Sequence, residues 1–270
     1  MDPPDRDGRR AHAAGHTGRP GRQLRPALRH HRRRHARLST AVFRQEEDNG
    51  SGTEDARLGD TAEQATELLR RAVGYALGAA QCVTPALLGR PTPCAAWNLG
   101  ALLSHVDDSL AALHEGITEG AVALHPHDHE PGPAAVAAPR PGPDPAAAFR
   151  RRAARLLGAW AGARPGVRIV AVADAPLTAT ALALTGAVEL AVHGWDIAWS
   201  TGHPERAVPG PLAARLLPVA RHLVPHDGTR HPLFGPRLPL PDDAPSADRL
   251  LAFLGRAPLA RAPAPVPGRG

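Results

Sequence analysis

The sequence predicts an all-α protein built as a helical bundle, on three observations. Four long stretches carry apolar residues at the three- and four-residue spacing that gives a helix one buried face. The breaks between them are rich in Pro and Gly, and capping residues or Pro stand at the expected helix starts. Only one stretch, Val167 to Ala173, is short and β-branched enough to suggest a strand.

Residues 1–59 are read as a disordered Arg/His-rich extension. They hold Arg, His, Gly and Pro but almost no apolar periodicity, so ordering them would bury too little surface to offset the lost entropy. Val42 is the only valine before Val73, as a misread GTG start codon would leave it, so part of this extension reads as a gene-start artefact.

The folded domain is expected over residues 60–257. Asp60 and Glu63 stand in capping-box spacing before Ala65, Leu68, Leu69, Ala72, Val73, Ala76, Leu77 and Ala80, which predicts the first helix. Gly89 to Pro93 breaks it. Thr92-Pro93 then predicts an N-cap and a first-turn Pro for a second helix near 94–116, with Leu99, Leu102, Leu103, Val106, Leu110 and Leu113 as its apolar residues. Residues 117–143 read as a Pro/Gly/His-rich loop. Asp144-Pro145 starts a third helix to about Gly162, with Phe149, Leu156, Leu157 and Trp160 inward. Val167 to Ala173 is a strand or an extended connector. A long apolar helix is predicted over 178–201, stopped by Gly202 and Pro204. Leu212 to Val224 predicts a fifth helix, which Pro218 would shorten or kink. Ser246 and Asp248 start a last short helix through Leu254, and residues 258–270 read as a disordered Pro/Ala tail.

Charge separates these parts. The chain has 270 residues and a formal net charge of +6, and all 32 of its basic residues are Arg. Residues 1–44 hold twelve of these against Asp2, Asp5 and Asp7, while the remainder has twenty against twenty-three acids. The basic character therefore belongs to the extension, which argues against a nucleic-acid-binding core. Cys82 and Cys94 are too few for a disulfide framework or a zinc ribbon. With no long apolar run and no apolar segment of a signal peptide, a soluble cytoplasmic protein without membrane contact is expected.

The helix from Ala181 to Trp199 carries the chemistry. Its ionisable residues are Glu189, His193 and Asp196, which fall within about 60° of one another on the helical wheel. Thr185 and Ser200 extend the line, and Leu184, Val188, Ala191 and Trp195 form the neighbouring apolar face. A helix this apolar elsewhere is buried, and a buried carboxylate needs a cation. A divalent metal would satisfy Glu189 and His193, and bundles build such sites with a further residue on a facing helix. His105, on the edge of the second helix's apolar stripe, is that residue. Two His and one carboxylate leave coordination positions open, as in catalytic rather than structural sites. Asp196 would be a fourth ligand, or an acceptor for an imidazole N–H. A hydrogen-bonded polar seam without metal would show the same pattern.

Thr92-Pro-Cys-Ala-Ala-Trp97-Asn, Leu102-Leu-Ser-His105, Glu189-Leu-Ala-Val-His193-Gly-Trp-Asp196 and the Phe234 to Leu251 segment resemble the DinB-like metal-binding proteins. More narrowly, they resemble the branch related to mycothiol-dependent maleylpyruvate isomerase, over about residues 60–257. The resemblance implies an up-and-down four-helix bundle, here with additional short C-terminal helices, and a divalent metal, commonly zinc. Its ligands would fall on His105, Glu189 and His193. The isomerase carries a second, α/β domain that helps hold the thiol, whereas this chain has about 70 residues after its last bundle helix, Pro-rich spacer and tail included. Maleylpyruvate isomerisation is therefore not carried over.

The expected function is a metal- and thiol-dependent transferase or isomerase acting on a small molecule, with mycothiol or another low-molecular-weight thiol as cosubstrate. Asp196 would orient a ligand or accept a proton. A non-catalytic metal-binding or ligand-sensing bundle, homodimeric through an exposed helix face, is the second reading. Association with nucleic acid through the arginine-rich arm is the third. His125-Pro-His-Asp-His129 reads as a solvated loop, Cys94 as packing beside Trp97 at a helix N-terminus, and Gly186, Gly194 and Gly202 as points of close helix packing.

Overall fold

A computed structural model describes residues 54–94, 97–122, 145–163, 168–172, 175–224, 230, 234–241 and 243–258. The expectations for residues 1–53, the His125–His129 tract, Asp144 and residues 259–270 lie outside these. Among the described residues, six α-helices and a small sheet follow in order: α1 Glu54–Ala80, α2 Leu99–Glu119, β1 Ala121–Val122, α3 Pro145–Gly162, β2 Ile169–Val172, β3 Ala175–Thr178, α4 Ala179–Ser200, α5 Gly210–Leu223 and α6 Ser246–Phe253.

The first four helices make the bundle. α1 packs on α4 and α3, and α2 packs on α3 and α4. The α1–α4 seam is lined with small residues: α1 buries Ala65, Ala72, Ala76 and Ala79, and α4 buries Ala183, Ala187 and Ala191. Small side chains let the two backbones approach, so a dense core forms with few aromatic rings. A β-carbon added at Gly194 would lie 2.9 Å from the Tyr75 ring and 3.1 Å from the Ala76 backbone, and one at Gly186 would lie 2.6 Å from Leu113. Those two glycines are points of close packing. Gly202 is different, because its φ of +91° is left-handed and it ends α4 rather than admitting a neighbour. The Trp160 indole N–H donates to Thr66 Oγ1 at 3.0 Å, tying α3 to α1, and Arg152 pairs with Asp107 at 2.6 Å, tying α3 to α2.

Several boundaries depart from expectation. α1 begins at Glu54, so Asp60 lies inside the helix rather than at its start. Ala56, Arg57 and Leu58 favour helix, no Pro stands between Glu54 and Asp60, and Gly59 alone does not stop the helix. α2 begins at Leu99, not near residue 94. Its cap is Asn98, whose side-chain oxygen accepts from the Ala101 N–H at 2.9 Å. Thr92 turns its hydroxyl to donate to the carbonyls of Cys94 and Trp97, at 3.0 and 2.9 Å, closing a loop whose ends meet at Pro91 and Asn98. The expected extended segment is β2, which pairs antiparallel with β3 and parallel with the two-residue β1. β1 and β3 were not anticipated, since segments this short carry no periodicity to read. Buried Val122, Val170, Val172 and Leu177 seat this sheet against the bundle. Pro218 lies inside α5 without shortening it, at an exposed position. α5 packs on α4, and α6 packs on α5.

Candidate metal centre

α4 starts at Thr178, whose hydroxyl accepts from the Ala181 N–H at 3.1 Å, and its middle is buried nearly all round. One polar line therefore faces the bundle interior, and His105 of α2 meets it there. His105 Nε2 lies 2.6 Å from Glu189 Oε1 and 3.1 Å from His193 Nε2, and His193 Nε2 lies 3.3 Å from Glu189 Oε1. Three donor atoms from two helices converge on one point. The imidazoles are sealed, at 2% and 6% exposure, whereas the Glu189 side chain keeps 17% of its surface open. Solvent reaches the cluster from the Glu189 side. The Trp97 ring lies 4.4 Å from that of His105, centroid to centroid, and forms part of the wall.

Asp196 stands one turn along and does not join this point. Its Oδ2 accepts from His193 Nδ1 at 2.8 Å, while the Arg256 guanidinium reaches Oδ2 at 3.0 Å and Oδ1 at 3.4 Å. Asp196 is fully buried, and each of its oxygens has a donor. It orients His193 rather than standing free to take a proton. Thr185 and Ser200 close on their own helix, donating to the carbonyls of Ala181 and Asp196.

Cys94 and Arg256 are site neighbours that the sequence did not reveal in these roles. Cys94 Sγ lies 3.0 Å from Arg256 Nη2 and 3.5 Å from Asp196 Oδ2. The thiol is in a loop five residues before α2, not at the helix N-terminus expected for it. Arg256 is the cation that a buried carboxylate demands, yet twenty arginines after residue 44 gave no way to choose it.

Electrostatics follow from this geometry. Burial would push Glu189 upward, but the imidazoles of His193 and His105 outweigh it and hold the carboxyl well below its usual range. Burial would depress His193, yet Glu189 and Asp196 outweigh that and raise it well above an ordinary histidine. Asp196, pushed up by burial, is held at about 2 by Arg256 and by His193. Since Asp196 is depressed, its stabilising share is present above the unfolded value of 3.8 and is lost as pH falls toward 2. Urea unfolding of metal-free protein should therefore show a loss of about 2 kcal/mol across that window, which Asp196→Asn abolishes.

The donor chemistry distinguishes two groups that could hold a cation: His105, Glu189 and His193, and Cys94, His193 and Asp196. In the second, Arg256 already places a positive charge 3.0 Å from both Cys94 Sγ and Asp196 Oδ2. The first has no such cation in its centre. An ion bound at about 2.0–2.1 Å in a tetrahedral site holds its ligand atoms about 3.3 Å apart. The separations of 3.1 and 3.3 Å match this, and the 2.6 Å contact is a hydrogen bond that an ion would replace. The first group fits a divalent metal.

Residues 69–198 match the family model described as the mycothiol maleylpyruvate isomerase N-terminal domain. The match begins within α1 and ends two residues past Asp196, so it spans His105, Glu189 and His193 and excludes Arg256. No curated protein and no solved structure matched the chain. Among the described residues no helix is long and apolar enough to cross a membrane. Residues 69–198, which carry most of the bundle, are thus similar to the mycothiol maleylpyruvate isomerase N-terminal domain family, in agreement with the DinB-like resemblance of the motifs.

Proposed function

We propose that the chain is a metal- and thiol-dependent enzyme, a transferase or isomerase acting on a small molecule, with His105, Glu189 and His193 holding a divalent ion, zinc by preference. The observation that carries this reading is the convergence of two imidazole nitrogens and a carboxylate oxygen within 3.3 Å of one another inside an otherwise apolar bundle. When bound, the ion supplies Lewis acidity that lowers the pKa of a coordinated thiol or water. The chain's own groups do the rest. Asp196 accepts a hydrogen bond from the His193 Nδ1–H and so turns its Nε2 toward Glu189 and His105. The partial exposure of Glu189 sets the side from which a substrate approaches, and Trp97 bounds that space over His105. A mycothiol-related family makes a low-molecular-weight thiol the natural cosubstrate.

Full-length protein supplied with zinc and mycothiol should turn over members of a panel of small electrophiles and unsaturated acids. Glu189→Gln, which keeps the shape but loses the charge, should reduce that turnover at least 100-fold. Metal binding with no thiol-dependent turnover across the panel would instead make the chain a metal-binding or ligand-sensing bundle.

A further inference from the structure

We infer that Arg256 is a positioning residue of the metal site, so that the segment following α6 completes a centre whose ligands all lie within the bundle. The inference rests on the metal-binding reading above and extends it to a part of the chain beyond the matched family segment.

The turn that delivers Arg256 is specific. Ser246–Phe253 ends in a Schellman arrangement: the Gly255 N–H donates to the Ala252 carbonyl at 3.1 Å, and the Arg256 N–H donates to that of Leu251 at 2.9 Å. Gly255 has φ +80°, and a β-carbon there would lie 2.9 Å from Gly235 Cα. Two glycines thus pass backbone to backbone, and the chain reverses so that the next side chain points back into the bundle. Arg256 Nη1 donates to Leu254 O at 2.8 Å, which fixes the guanidinium before it reaches the carboxylate. Its side chain is only 10% exposed and Asp196 is not exposed at all.

The remaining nitrogens meet Asp196 as a fork, Nη2 to Oδ2 and Nε to Oδ1. A fork fixes the plane of a carboxylate, which a point charge cannot do. With that plane fixed, Oδ2 faces His193 Nδ1, and the ring's Nε2 is aimed at Glu189 and His105. The sequence Arg256, Asp196, His193 is a continuous set of contacts from the C-terminal segment to the ligand cluster. Partners of this kind behind a ligating histidine typically set metal affinity by 10- to 100-fold.

The test is zinc affinity of the full-length, untagged chain, measured by competition with a chromogenic chelator, together with the cobalt absorption spectrum. Arg256→Gln and Asp196→Asn should each weaken zinc binding about 10- to 100-fold. Combining them should cost no more than about threefold beyond Asp196→Asn alone, because both changes act on one histidine. Arg256→Lys keeps the charge and the packing, so the metal-free protein should melt near the wild-type temperature. It should nonetheless bind zinc about 3- to 10-fold more weakly and shift the cobalt bands. Wild-type affinity in both Arg256 variants would overturn the inference while leaving the metal site standing, as would losses that multiply in the double variant. Failure of the wild-type chain itself to bind zinc or cobalt would overturn the metal-binding reading and this inference with it.

Discussion

Gly194→Val is expected to destabilise the protein by about 2–4 kcal/mol and lower its melting temperature by about 5–10 °C. The buried backbone of α4 touches α1 here: even a single added carbon would lie 2.9 Å from Tyr75 and 3.1 Å from the Ala76 backbone. Valine adds two further methyl groups. A ring can rotate away, but a helix backbone cannot, so α1 must shift or Tyr75 must surrender its 2.6 Å hydrogen bond to the Arg206 carbonyl. The helix-propensity gain of replacing glycine, about 0.5 kcal/mol, is too small to compensate. Gly74→Ala is the control, because Gly74 is exposed on α1 with nothing within 4 Å of an added carbon, and it should stabilise by about 0.5–1 kcal/mol. Thermal unfolding of the two variants beside wild type decides the matter. A Gly194→Val protein as stable as wild type would mean that α1 does not lie against α4 in this register.

The second large effect belongs to Asp196→Ala. Removing the carboxylate leaves the Arg256 guanidinium buried beside Cys94 and deprives His193 Nδ1 of its acceptor. Breaking one side of a buried ion pair costs about 3–5 kcal/mol, which for a domain of this size is a fall of about 10 °C in metal-free protein. The companion change is informative because a buried pair replaced on both sides costs much less than a pair broken on one. Asp196→Ala combined with Arg256→Leu should therefore regain at least half of the lost stability. If the single change were neutral, or if the double variant were worse than it, the Arg256–Asp196 contact would not be the buried pair described above.

Legibility in the sequence tracked the range of the interactions. α4 could be read almost to the residue, because Thr178 at its start, Gly202 at its end and the apolar stretch between are all local signals. The line of Glu189, His193 and Asp196 followed from the same helix, since spacing alone brings them to one face. His105 needed one tertiary guess, that the second helix packs on the fourth, and its position between Leu102 and Val106 made that guess available. Where two local signals competed, the reading slipped. Thr92-Pro93 looks like a helix start, but the hydroxyl is spent within the loop and the cap passes to Asn98. The short strands were invisible because what defines them is the partner, not the pattern. Arg256 illustrates the limit most clearly. It meets Asp196 across 60 residues and Cys94 across 162, and nothing near it in the sequence marks it apart from the other arginines. The Gly255 turn was a readable helix stop, yet where a turn points its next side chain is decided by the packing of α6.

The measurement closest to the centre of this account is the metal content of the full-length, untagged chain after zinc loading and gel filtration, beside His193→Ala and Glu189→Gln. The wild-type chain should retain one equivalent more than either variant, whatever its other histidines adsorb, because that difference counts only the cluster of His105, Glu189 and His193. Equal metal content in all three proteins would contradict the account and leave those residues as a hydrogen-bonded polar seam within a helical bundle.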